Sequence, residues 1–232
     1  MRAAVFAFAY FGSELLARNL AAAQNYNNGF WLPSGLFLGV LLLAERRHWL
    51  LLVLAAGVGD LAYNYATGAP WSLGFLFLFH LGNSLSAIVG AWLMRRFVAE
   101  RPVLASVREL IGLVVFGGLL SLPLSTTIGT LLLQASNFRP NWTSTWSYRY
   151  SSDLLGVLLL TPVLLAWPEG IRWPASWRPT ARRVEAAEML LGLGAALSLS
   201  YYFHWPQEIE KLFVALPFII WASFRFGLRG VT

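Results

Sequence analysis

Long apolar runs separated by short polar stretches make up most of the chain. Membrane spans are predicted at about 3–23, 30–44, 49–67, 72–94, 108–134, 149–167, 185–204 and 209–225. Lipid offers the backbone no hydrogen-bond partners, so each span is expected to be a helix. The pattern therefore predicts an all-α, polytopic membrane protein, a bundle of about eight transmembrane helices in which residues 1–232 form a single domain.

The basic residues between the runs predict the orientation of the bundle. If the spans alternate, one side receives most of the arginines: Arg2, Arg46, Arg47, Arg95, Arg96, Arg101, Arg108, Arg172, Arg178, Arg182, Arg183, Arg225 and Arg229. The positive-inside rule assigns such a side to the cytoplasm. Both termini and the loops 45–48, 95–107 and 168–184 are therefore expected there.

Composition supports the membrane class and excludes others. Hydrophobic residues make up 57% of the chain and charged residues only 12%, against roughly 25% charged in a soluble domain. The chain has no cysteine, which excludes a disulfide, a thiolate metal site and a cysteine nucleophile. The charged residues that give the net charge of +6 lie between the apolar runs. They therefore indicate membrane topology and predict no nucleic-acid partner.

The second run is unusually short. It would cover about 24 Å as a helix, less than the roughly 30 Å of a bilayer core. Pro33 suits a first helical turn, and Gly35 permits close approach of another backbone. Two interpretations stay open: the helix begins below the membrane surface and aims its free N–H groups at a polar ligand, or it has a plain cap near the interface.

Ionisable residues inside the spans are the main candidates for a functional site, because they are costly in lipid. They are Glu14, Arg18, Asp60, His80 and Asp153, with Asn64 and Asn83 as neutral companions. Asp60 and His80 are equally far from the turn at position 70, so they are expected at similar depth. All five charged candidates fall in the outer half of the bilayer, which predicts a polar pocket open towards the periplasm.

With His80 neutral, these five groups sum to minus two, which favours a cation, a protonated carboxyl or a ligand amine. The alternative is that Glu14–Arg18 and Asp60–His80 are closed pairs that serve helix packing. Most tyrosines, with Trp31 and other tryptophans, lie near the outer ends of spans, as an interfacial belt or as a binding cage. His80 and His204 differ in depth, so a haem is not expected.

A set of short blocks occurs in order along the whole chain. They are WLPSG (31–35), ERRHW (45–49), GNSLSAIVGAWLMRR (82–96), STTIGTLLL (125–133), SDLLGVLLLTPVLLAW (152–167) and LPFIIWASFRFGLRG (216–230). Together they resemble the membrane-associated sensor domain of the first type, the MASE-one family. Asp153, Trp31, Pro33, Gly35, Gly82 and Asn83 match its pattern. Leu32, Ser86 and the SSD run at 151–153 depart from it, since Ser86 stands where glutamate is common.

The resemblance implies an eight-helix sensor region of the bacterial inner membrane. Such regions are normally followed by an output module, either a histidine kinase of a two-component system or an enzyme of cyclic-di-GMP signalling. We therefore expect a signal-input domain that binds an unknown small ligand or senses the membrane, and that relays a helix shift through its last span. The output module would act in cis or in trans, and a homodimer is possible.

No catalytic residue, cofactor or metal is expected, because no triad, P-loop or dinucleotide motif is present. The alternatives are a small transporter, which needs a water path to both faces, and a scaffold that binds another membrane protein laterally. The residues expected to bind a ligand are Asp153, Asp60, His80, Asn83, Glu14, Arg18, Trp31, Pro33 and Gly35.

Overall fold

A computed structural model describes residues 2–23, 30–69, 71–104, 106–138 and 141–166. The predicted spans 185–204 and 209–225, the loop 168–184 and His204 lie outside these residues. The helices are α1 (Arg2–Ala23), α2 (Leu32–Leu43), α3 (Trp49–Thr67), α4 (Leu73–Phe97), α5 (Val107–Gly112), α6 (Leu122–Ala135) and α7 (Trp142–Ala166). No strand occurs in these ranges. The all-helical class is confirmed there, and the first six predicted spans are all helical.

The surface of the bundle is apolar and much of its interior is polar. Leu50 on α3 is 71% exposed and Phe77 on α4 is 65% exposed. The buried polar residues are Glu14, Ser84, Ser86, Ser121, Ser125, Thr126, Thr130, Thr145, Ser152, Asp153 and Thr161. This arrangement suits lipid as the solvent, because polar groups then find their partners between helices. Within the described ranges, Arg46–Thr67, Leu73–Phe97 and Val107–Ala135 are long and apolar enough to cross a membrane.

The short helix α2 packs against α1, α3, α4 and α7. Its contact with α7 is made through two glycines: a Cβ on Gly35 would lie 2.0 Å from the carbonyl oxygen of Gly156, and a Cβ on Gly156 would lie 2.0 Å from that of Trp31. The backbone amide of Trp31 donates to the carbonyl oxygen of Ser152 across the same contact, at 2.9 Å. The expected role of Gly35 in close backbone approach is confirmed.

The two ends of α2 have different partners. Its first turn has no side-chain cap on Trp31, and Ser34 Oγ donates instead to Asp153 Oδ1 on α7, at 2.6 Å. At its last turn, Arg95 Nη2 donates to the carbonyl oxygens of Leu41, Leu42 and Ala44, at 3.1, 2.7 and 2.5 Å. A cation at a helix C-terminus also complements the helix dipole.

The fifth predicted span, 108–134, is not one continuous α-helix. A π-helical segment at Leu113–Leu119 follows α5, and a turn separates that segment from α6. Pro123 stands in the first turn of α6, where its missing N–H and its ring prevent the preceding helix from continuing. Ser86 Oγ donates to the carbonyl oxygen of Ser121, at 2.9 Å, and the backbone amide of Leu124 donates to the same oxygen, at 3.2 Å. Ser86 therefore joins α4 to this break.

The sixth predicted span begins earlier than expected. The sequence placed its start at 149, but α7 begins at Trp142. Asn141 explains the difference, because its Oδ1 accepts a hydrogen bond from the backbone amide of Ser144, at 3.1 Å, as a helix N-cap does. Asp153 therefore lies about three turns into α7 and not one.

Candidate functional site

A cavity of about 250 Å³ opens at the end of the bundle where α2 begins. It is lined by α1, α3, α4, α6 and α7, together with Trp31 just before α2 and Trp71 just before α4. The lining residues are Glu14, Trp31, Asp60, Tyr63, Asn64, Trp71, Phe75, Leu76, Phe79, Leu133, Tyr148, Arg149, Ser152 and Asp153. We call it the acidic cavity, because three of its lining residues carry carboxyl groups and one carries a permanent positive charge.

Asp153 is held on one side of the acidic cavity by the start of α2. Its Oδ1 accepts the hydrogen bond from Ser34, while its Oδ2 is buried and has no hydrogen-bond partner. Pro33, in the first turn of α2, supplies no backbone donor there. The helix end that the sequence offered to a ligand is thus met by a carboxylate of the chain itself, which keeps one oxygen free.

A chain of polar side chains runs from Glu14 on α1 to α4. Asp60 Oδ2 contacts His80 Nδ1 at 2.5 Å, and His80 Nε2 lies 3.1 Å from Ser84 Oγ. The Glu14 carboxyl faces the Asp60 carboxyl. Two carboxyls can share a hydrogen bond only if a proton lies between them. Asp60 and His80, which the sequence predicts at similar depth, are in direct contact, and His80 adjoins the cavity through Asp60.

Glu14 and Arg18 do not form the closed ion pair that the sequence left open as an alternative. Among the described residues, salt bridges join only Arg47 to Glu45 and His80 to Asp60. Glu14 is 2% exposed and faces Asp60, whereas Arg18 is exposed and interacts with Tyr63. Gly59 explains the choice, because its missing side chain lets α1 pack close to α3, with the Tyr10 ring 2.9 Å from a built Cβ.

Arg149 is the main residue of the cavity that the sequence did not single out. Its guanidinium lies 4.5 Å from the centre of the Phe79 ring, which is a cation–π contact. A Cβ on Gly129 would lie 2.6 Å from Arg149 Nη2, so the glycine makes room for it. The missed signal was spacing: Arg149 and Asp153 are four apart and share a helix face.

Four polar atoms of the cavity residues are buried without a hydrogen-bond partner. Three are acceptors, namely Glu14 Oε2, Asn64 Oδ1 and Asp153 Oδ2, and one is a donor, Arg149 Nε. Buried polar groups are nearly always paired, and each unpaired one costs about 1–3 kcal/mol. Four on the residues of one cavity are typical of a site whose partner is a ligand or water.

Aromatic side chains form much of the remaining wall. Trp31 and Tyr63 meet edge to face at 6.5 Å between ring centroids. Phe75 on α4 stacks with Trp71, just before the helix, and with Phe79, one turn further on. The ring centroids are 4.3 Å and 5.7 Å apart. Tyr65, by contrast, is 90% exposed. The aromatic residues therefore divide: some line the cavity, and Tyr65 faces outwards as a belt residue would.

Five of the nine expected ligand-binding residues are not on the wall of the cavity, namely Arg18, Pro33, Gly35, His80 and Asn83. Pro33 and Gly35 shape and dock the start of α2. Asn83 faces a second, much smaller pocket of about 10 Å³ with Ser34 and Ser86 among its lining residues.

The structure has buried carboxyls, a short α2 and a polar interior. A comparison with known families tests the expectation that the chain is a sensor domain. The MASE1 family model matches residues 1–232, the full length of the chain. The chain belongs to the MASE1 family. MASE1 is a family of membrane-associated sensor domains. No curated protein matches the chain. No solved structure matches it.

The lining of the acidic cavity is closer to that of a site for a small organic molecule than to that of a metal site. Within the described ranges, no three His, Asp or Glu side chains are grouped so as to hold a metal ion. The cavity of this MASE1 domain instead combines separated carboxyls, one guanidinium and aromatic faces. Aromatic faces with a few placed polar groups are typical of sites for small organic molecules.

Proposed function

We propose that this MASE1 domain is a signal-input domain of the bacterial inner membrane whose acidic cavity binds a small ligand. The carrying observation is the set of four unpaired buried atoms on residues of one cavity. Bound ligand stabilises the conformation in which these atoms are paired, and only such a difference in affinity between two states can shift their populations.

The direction of the signal follows from topology. The arginine-rich loops favour a topology with both termini in the cytoplasm and the acidic cavity at the periplasmic end of the multi-pass bundle. The ligand thus arrives from the periplasm. The shift passes through the last span, at 209–225, to a histidine kinase or cyclic-di-GMP output module, in cis or in trans.

A closed opposite end supports a sensor over a transporter. Around the last turn of α2, the side chains of Leu41, Leu42, Met94 and Leu113 are at most 2% exposed. Arg95 lies across that end and binds three carbonyl oxygens of the α2 terminus. A transport path needs water access from both faces, and this packing of the described helices favours a cavity with a single mouth.

Single-cysteine labelling tests the cavity directly, because the chain has no native cysteine. Tyr63→Cys and Trp71→Cys place thiols on the cavity wall. In intact spheroplasts, a membrane-impermeant maleimide is expected to label both, and in inside-out vesicles it is expected to label neither. Val58→Cys, in the middle of the apolar outer surface of α3, is the control that stays unlabelled in both.

The labelling result distinguishes the alternatives. Labelling of Tyr63→Cys and Trp71→Cys from both faces would favour a transporter. Labelling from neither face would make the polar residues structural and would overturn the proposal.

Asp153→Asn separates binding from stability. Asparagine keeps the shape of the side chain and the acceptor for Ser34, but it removes the charge. If Asp153 binds ligand, ligand-induced stabilisation in nanodiscs is lost while the fold of the unliganded protein is retained. Lost thermal stability with unchanged ligand affinity would leave only a structural role for this residue.

A further inference from the structure

The unpaired atoms of the acidic cavity carry information about the ligand. Three of them accept hydrogen bonds and one donates, so the complementary ligand supplies several N–H or O–H donors and at least one acceptor. Resting on the proposed function, we propose that the cavity binds a small zwitterion with a primary ammonium and a carboxylate, the chemistry of a free amino acid.

The acceptors define the position of the ammonium group. Glu14 and Asp153 are 2% and 3% exposed, and each keeps one carboxyl oxygen without a partner; Asn64 adds an amide oxygen. A primary ammonium has three N–H donors and gains further from nearby aromatic faces such as those of Trp31 and Tyr63. A quaternary ammonium has no donor, so it would leave all three acceptors unpaired.

The single cation defines the position of the carboxylate group. Arg149 is wedged between Phe79 and Gly129, and its Nε has no partner. Although it lies one turn from Asp153 on α7, no salt bridge joins them. An arginine in a fixed position is well suited to bind a carboxylate through two parallel N–H donors.

Charge excludes the simpler ligands. An anion alone would meet Glu14, Asp60 and Asp153 around the same space and would be repelled by them. A plain amine would leave the buried Nε of Arg149 without a hydrogen-bond partner, which is costly. A zwitterion satisfies both signs, and the cavity volume of about 250 Å³ restricts it to a small molecule.

The test uses the full chain in nanodiscs and measures the unfolding midpoint with twenty individual L-amino acids. Three partial probes accompany them: ethylamine without a carboxylate, propionate without an ammonium, and glycine betaine without N–H donors. At least one amino acid is expected to raise the midpoint saturably, with an affinity at least about tenfold tighter than any partial probe, since pairing both charged ends adds binding energy.

Arg149→Gln is the variant that identifies the carboxylate end. It is expected to weaken amino-acid binding about tenfold or more and to leave the weak binding of ethylamine unchanged, because the acidic side of the cavity is intact. Arg149→Lys, which keeps the charge, replaces it in the assay if the glutamine variant does not fold, and it is expected to retain intermediate affinity. Arg96→Gln, an exposed arginine on α4, is the matched control without effect.

The outcomes separate this inference from the proposed function. Equal or tighter binding of ethylamine, propionate or betaine would overturn the zwitterion. So would unchanged amino-acid affinity in both Arg149 variants. If Tyr63→Cys and Trp71→Cys are labelled from the periplasmic face but no amino acid binds, the zwitterion is wrong and the cavity stands. If those cysteines are not labelled from either face, both proposals fail.

Discussion

The two ends of α2 differ in the partners that they find for their free backbone groups. Both ends of this short helix carry backbone groups that the helix itself cannot pair. At the last turn, Arg95 binds three carbonyl oxygens and lies 5.3 Å from the Trp49 ring, while Trp49 Nε1 donates to Leu41 O. At the first turn, Ser34 binds Asp153, and beyond Asp153 lies a cavity.

The difference teaches how to tell a structural charge from a candidate ligand site. Arg95 has one unpaired nitrogen, Nε, but its remaining bonds all go to the chain and hold a helix end in place. The residues around Asp153 leave four atoms unpaired on the wall of one cavity. Burial alone does not distinguish the two ends. The two ends are distinguished by the number of buried atoms without a hydrogen-bond partner and by the cavity beside those atoms.

The largest expected effect comes from filling the contact that docks the first turn of α2. In Gly35→Val, the new Cβ would lie 2.0 Å from the carbonyl oxygen of Gly156, and backbone cannot yield as a side chain tip can. We expect a loss of about 3 kcal/mol or more in the free energy of unfolding, measured by SDS titration of the protein in detergent.

Gly74→Ala is the matched control for that substitution. A Cβ at Gly74 meets nothing within 4 Å, so the change is expected to be neutral or stabilising by up to about 1 kcal/mol, since alanine favours the helix. A Gly35→Val protein as stable as the parent would show that α2 does not dock on α7 through these glycines.

The second effect tests the closed end of α2. Arg95→Met keeps the length of the side chain but removes its donors to Leu41, Leu42 and Ala44. The expected loss is about 2–4 kcal/mol, because charged hydrogen bonds are lost and buried carbonyls are left unpaired. Arg96→Met, at an exposed position, should change the free energy of unfolding by at most about 0.5 kcal/mol. Equal effects at both positions would refute the special role of Arg95.

The depth of a residue along its helix could be predicted from the sequence. The equal distances of Asp60 and His80 from the turn at position 70 brought them to one level, and they do meet. Helix rotation could not be predicted in the same way. Glu14 and Arg18 share a helix face by spacing, yet close packing at Gly59 turns Glu14 towards Asp60 and leaves Arg18 exposed.

The start of α7 explains the larger omission. If the span began at 149, Arg149 would lie at the membrane surface. The cap at Asn141 adds two turns before it, which moves the arginine into the bundle and onto the cavity wall. Asn141, a capping residue, stands eight residues before the expected boundary, but the polar stretch between them has no apolar periodicity that would indicate a helix.

The third effect tests the cavity end of α2. Ser34→Ala removes the donor to Asp153 Oδ1 and leaves this buried carboxylate without any hydrogen bond from α2. The expected loss is about 1–2 kcal/mol in the free energy of unfolding. Combined with Asp153→Leu, which removes the acceptor, the cost should be smaller than the sum of the two single changes, since the two residues share one interaction. Strict additivity would indicate that the hydrogen bond contributes nothing.

The smallest expected effect distinguishes a shared proton from a packing contact. Glu14→Gln keeps the shape of the side chain and supplies an N–H donor to Asp60, replacing the proton that two carboxyls in contact require. The free energy of unfolding should therefore change by at most about 1 kcal/mol. Glu14→Leu, which offers no donor, should cost clearly more, because Asp60 then keeps only His80. If the glutamine variant is destabilised as strongly as the leucine variant, then Glu14 and Asp60 do not share a hydrogen bond, and the acidic cavity loses the polar link that joins α1 to α3.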